Sequence, residues 1–114
     1  MIDWNAYHAE LKKRNAEIGR TSVDIIRGYR TMSDAAAHAD ILGPKVRELI
    51  ALAVAVTRSC DGCIVTHVEA ALRHGATKEE IVEALGVAIS VNAGAALIFS
   101  GRVLDALEAK QPAS

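Results

Sequence analysis

Only two prolines interrupt this chain, Pro44 and Pro112, and the second lies in its last three residues. A proline ring removes a backbone donor and clashes with the preceding helical turn, so nearly all of the sequence is free to be helical. Twenty-one alanines among 114 residues push the same way, because alanine has the highest helix propensity and lets backbones approach closely. No stretch alternates apolar and polar side chains as a half-buried strand would. The chain therefore predicts an all-α fold of about six helices, and its length predicts a single domain over residues 1–114.

The periodicity locates the helices. Trp4, Tyr7, Leu11 and Ile18 recur at helical spacing among charged residues, an amphipathic surface helix. A second helix is expected from about Ser22 to the Ala35-Ala36-Ala37 segment, with residues 31–33 as a candidate break. Gly43-Pro44 marks a helix start, since proline is favoured at the first helical position. The helix after it is apolar on all sides from Leu49 to Val56 and reads as central. Ser59 is the expected cap of the next helix, which stops at His74-Gly75. Thr77 and Glu80 fit a capping box.

Residues 84–101 carry no charge, long enough by the crude threshold for a membrane span. Asn92-Ala93-Gly94 within them reads as a helix stop, so the expectation is two shorter buried helices and no membrane. The segment before the stop is expected to end near Val91, and the last helix to run from about Ala93 to Ala109. Three such apolar helices exceed what one small domain can cover, so self-association is expected.

Thirteen Lys and Arg against fourteen Asp and Glu give a net charge of −1 with no basic stripe, which argues against a nucleic-acid partner. The first residues show no basic segment followed by an apolar run, so a cytoplasmic location is expected. In that compartment two cysteines point to redox, catalytic or metal chemistry rather than to a structural staple.

Cys60-Asp61-Gly62-Cys63-Ile64-Val65-Thr66-His67 carries the chemistry. On a helix Cys60 and Cys63 are three apart, Cys63 and His67 four apart, so two thiols and one imidazole form a single ridge. Near a helix N-terminus free N–H groups stabilise a thiolate, and a nearby imidazole can accept its proton. By this dipole argument Cys60, nearer the terminus, is the more acidic thiol. Three readings fit the spacing: a redox pair, a zinc site built from Cys60, Cys63, His67 and a carboxylate, and plain packing. Glu48, twelve residues before Cys60, either offsets the dipole of its own helix or faces the cysteine helix and orients His67.

Taken together these residues resemble a known family. Glu48, eleven residues, Cys60-x-x-Cys63, then three residues and His67, is similar to the signature of the alkylhydroperoxidase D-like proteins of the carboxymuconolactone decarboxylase superfamily. The flanks Lys45-x-Arg47-Glu48-Leu49-Ile50-Ala51-Leu52 and Gly75-Ala76-Thr77-x-Glu79-Glu80-Ile81 extend the likeness to about residues 40–107. The resemblance implies hydroperoxide reduction with Cys63 as the attacking thiol, Cys60 as the resolving thiol, and His67 with Glu48 as the proton relay. It implies no cofactor and no metal, an external dithiol donor of the dihydrolipoamide or thioredoxin type, and a trimer or hexamer. One position departs: the family's best-described peroxidases carry a histidine just before the second cysteine, where this chain has Gly62. Disulfide exchange without appreciable peroxidase activity, or a zinc-binding or structural module, are the alternatives.

Overall fold

The computed structural model describes residues 1–112. Among them every regular element is a helix: α1 (Trp4–Thr21), α2 (Val23–Ala39), α3 (Pro44–Thr57), α4 (Asp61–Arg73) and α5 (Lys78–Lys110). The all-α reading holds, with five helices where about six were expected.

The difference lies in α5. Residues 92–94 do not stop it, and Gly94 keeps a right-handed backbone; only Gly43 and Gly75 among the described glycines have positive φ. The polar side chains bond back into their own helix: Asn92 Nδ2 donates to the Ala88 carbonyl at 2.7 Å, Ser90 to Val87 at 3.1 Å and Ser100 to Ala96 at 2.7 Å. Such back-bonding satisfies a polar group inside an apolar helix without ending it. The helix stop invoked against a membrane span is therefore absent, and α5 is long and apolar enough to cross one by length and composition.

Other boundaries follow local chemistry. Pro44 occupies the first turn of α3 after Gly43, whose φ of 85° a side chain would resist. Thr77 and Glu80 form the full capping box at α5, each side chain bonding the other's backbone N–H. α2 runs unbroken through the candidate break at residues 31–33 and ends at Asp40, in the left-handed region at φ 45°. The Asp40 carboxylate accepts from Arg47 at 2.8 Å, tying the end of α2 to the first turn of α3.

Helix α3 lies between α4 and α5, as its apolar surface predicts, and α1 reaches both α2 and α4. The core at this junction is Leu52, Ala71 and Ala76, with Leu49, Val68 and Ile81 packed around it. This cluster holds α3 and α4 in the register on which the site depends.

Beyond it the molecule is open. Its radius of gyration is 19.5 Å, where a compact chain of this length gives about 13 Å. It exposes 8963 Å², against about 6,000 Å² for a compact monomer of this mass. The excess is apolar: Leu97, Ile98, Phe99, Val103, Leu104 and Leu107 on distal α5 are all more than half exposed.

Candidate redox site at the start of helix α4

The chain leaves α3 through Arg58 and Ser59, the latter at φ 52°. Ser59 thus belongs to the turn, and Cys60 takes the capping position expected of it. The Cys60 N–H bonds the Ala55 carbonyl at 3.1 Å, and its Sγ accepts from the Cys63 N–H at 3.2 Å. Sulfur here does the work an Asp or Ser oxygen does at other helix starts. Cys60 and Cys63 are joined by a disulfide, their Cα atoms 5.2 Å apart. Both sulfurs therefore sit where the unpaired N–H groups of the first turn favour negative charge.

One turn further along α4, His67 Nδ1 stands 2.6 Å from Glu48 Oε2 on α3. Glu48 thus faces the cysteine helix, as the relay reading requires, rather than serving only the dipole of its own helix. An ionised carboxylate can only accept, so the imidazole donates from Nδ1 and leaves Nε2 as its free proton acceptor. Both side chains are partly buried, which limits competition from water without sealing the pair away. Cys63 and His67 are four apart on one helix and share a face. The site is a disulfide at a helix start, an imidazole one turn below it, and a carboxylate orienting that imidazole.

The two sulfurs bond each other, and among the described residues no three His, Cys, Asp or Glu side chains converge as a metal would need.

Helix α1 adds residues that spacing in the motif did not reveal. Gly62 lies between the cysteines, and a Cβ built on it would come within 3.1 Å of Leu11 Cδ2 and 3.6 Å of the Tyr7 hydroxyl. Without a Cβ there, Leu11 of α1 packs close against the cysteine turn; a Cβ would make its side chain shift by a few tenths of an ångström. His8 is 8% exposed, with Nδ1 3.5 Å from Glu69 on α4. The available signal was the i, i+4 pair Tyr7 and Leu11 in the apolar stripe of this helix; nothing in the sequence says which partner that face meets.

A fold of this kind with this motif defines a class. The chain belongs to the carboxymuconolactone decarboxylase family, whose model matches residues 24–106. It is 41% identical over 104 residues to an uncharacterized protein of Haemophilus influenzae, covering 91% of this chain and 92% of that one. It is 36% identical over 101 residues to uncharacterized protein 4 in the cox locus of Paracoccus denitrificans, covering 86% and 91%. Its fold matches the crystal structure of an apo carboxymuconolactone decarboxylase family protein from Legionella pneumophila with a TM-score of 0.74 at 30% identity, covering 92% of this chain and 94% of that one.

Proposed function

We propose that the protein is a thiol-dependent hydroperoxide reductase that cycles Cys60 and Cys63 between dithiol and disulfide. The observation that carries this reading is the Glu48–His67 pair one helical turn below a disulfide at a helix N-terminus. In the reduced protein His67 Nε2 takes the Cys63 proton, and the thiolate attacks the distal oxygen of a hydroperoxide. The O–O bond breaks, the thiol becomes a sulfenic acid, and the alkoxide leaves as an alcohol with the proton returned by His67. The Cys60 thiol then attacks the sulfenic sulfur, forming the disulfide and releasing water. An external dithiol of the dihydrolipoamide or thioredoxin class reduces the disulfide and is itself oxidised. Such a cycle suits a reducing compartment, and we place the protein in the cytoplasm.

Cys63 is assigned as the attacking thiol because it lies one turn from His67, whereas Cys60 lies two turns away. The test is a thiol titration. Reduced protein treated with one equivalent of an organic hydroperoxide should lose both titratable thiols and regain them with a dithiol. Cys63→Ser should consume no peroxide. Two thiols persisting in the treated wild type would refute the mechanism.

A second reading has a specific observation behind it. The position between the cysteines carries no side chain, and Leu11 leaves little room for one. If the titration shows a disulfide that exchanges with small dithiols but never consumes peroxide, the protein is a disulfide oxidoreductase of the same dithiol centre.

The functional unit is a homo-oligomer, a trimer or hexamer. The roughly 3,000 Å² of surface beyond that of a compact monomer exceeds by several-fold the ~800 Å² that each partner buries in a standard interface. Further copies of this chain, rather than lipid, cover the distal half of α5.

A further inference from the structure

We infer that Tyr7 is a positioning residue of the dithiol centre, its hydroxyl a hydrogen-bond donor held beside the cysteine turn by helix α1. The inference rests on the dithiol reading above and adds to it a group from outside the motif. The phenol oxygen lies 3.6 Å from the point where a Cβ on Gly62 would stand, between the two cysteines in sequence. At that distance a Cβ would stand in ordinary contact with the phenol, so Gly62 leaves the approach of the hydroxyl open.

Three contacts fix its position. The Trp4 ring braces the Tyr7 ring edge-on, their centroids 6.1 Å apart. Leu11, one turn along α1, packs over the same glycine. His8 is buried against Glu69, so α1 is tied to α4 on both sides of the phenol. Gly62, Thr66, Glu69 and Arg73 recur on one face of α4, and Tyr7, His8 and Leu11 of α1 meet that face at Gly62 and Glu69. A tyrosine braced in this way loses little freedom on forming a hydrogen bond.

The need for such a donor arises on reduction. In the disulfide neither sulfur carries charge. In the dithiol the Cys63 thiolate faces His67 on its own helix, oriented by Glu48 of α3, while Asp61 adds a like charge in the same turn. A neutral O–H arriving from α1 adds no charge of its own and stabilises the thiolate by hydrogen bonding to its charged form. It thereby favours Cys63 both as nucleophile and as leaving group when the disulfide is reduced.

The test is the pH profile of iodoacetamide alkylation of Cys63, measured in a Cys60→Ser background so that one thiol titrates and the helix keeps a capping oxygen. Tyr7→Phe removes only the hydroxyl and leaves the ring packed. It should move the midpoint of the profile upward by about 0.5–1 pH unit. Leu11→Ala, which loosens α1 but keeps the hydroxyl, should move it by less than half as much. An unchanged midpoint in Tyr7→Phe would overturn the inference. So would an equal shift in Leu11→Ala, because the packing of α1 would then be the cause. Alkylation needs no peroxide, so a wild type that fails to reduce hydroperoxide yet shows the Tyr7→Phe shift would sink the peroxidase reading and leave Tyr7 in place.

Discussion

Glu48 on α3 and His67 on α4 are nineteen residues apart in sequence and meet with Oε2 and Nδ1 2.6 Å apart. The contact exists because Leu52 of α3 and Ala71 of α4, each one turn further along its helix, are buried in the same small core. Packing of two apolar side chains sets the distance between two polar ones. Removing the carboxylate charge should therefore impair orientation of the imidazole more than it impairs folding. Glu48→Gln is expected to slow turnover by about 10–100-fold with unchanged helicity, read from steady-state kinetics and circular dichroism. Loss of less than twofold would show that the pair plays no part in the chemistry.

The core beneath the site is small, so it should be sensitive. Leu52→Ala is expected to cost about 2–5 kcal/mol, measured by urea unfolding of the intact assembly, because the alanines around it cannot fill the space left.

A different contact contributes to the pH dependence of stability. The Lys45 ammonium lies 2.8 Å from Glu80 and, with the Thr77 N–H, holds the Glu80 carboxyl below its ordinary value of 4.5. A carboxyl whose folded pKa is depressed contributes its stability fully above the unfolded value and loses it as pH falls through the folded one. Lys45→Met should return the Glu80 titration toward its ordinary range, followed by NMR. It should also narrow the difference in melting temperature between neutral and acid pH. A Glu80 titration identical in the two proteins would remove Lys45 as the cause.

Assembly can be tested at single glycines. Gly28 and Gly94 are both helical and both open in the single chain. If α5 packs closely against other copies, the two positions must differ. Gly28→Ala should stabilise by about 0.5–1 kcal/mol through helix propensity alone. Gly94→Leu should shift the assembly toward smaller species in light scattering without detergent. A wild type that is monodisperse at 12.1 kDa, or soluble only in detergent, would contradict the oligomer.

The legible parts of the sequence were those set by local chemistry. Pro44, the Thr77–Glu80 capping box and Gly75 marked helix boundaries, and the Cys60, Cys63 and His67 spacing placed three groups on one helix. Glu48 was legible as a candidate, but its partner was not, because the angle between α3 and α4 is a packing outcome. Asn92-Ala93-Gly94 misled because stop signals depend on whether the backbone turns left-handed there; Asn92 instead bonds back to Ala88 and the helix continues. Ser59 misled for the related reason that the turn needed it in the left-handed region, passing the cap to Cys60. Tyr7 was visible only as part of an apolar stripe, since its position follows from how α1 packs against α4 at Gly62.

The central claim is that Cys63 attacks and Cys60 resolves. Mass spectrometry of the Cys60→Ser variant tests it most directly, after one equivalent of organic hydroperoxide in the presence of dimedone. Without a resolving thiol, the account predicts one dimedone adduct per chain on Cys63. The reciprocal Cys63→Ser variant should give none. An adduct on Cys60 in Cys63→Ser, with Cys63 unmodified in Cys60→Ser, would contradict the account.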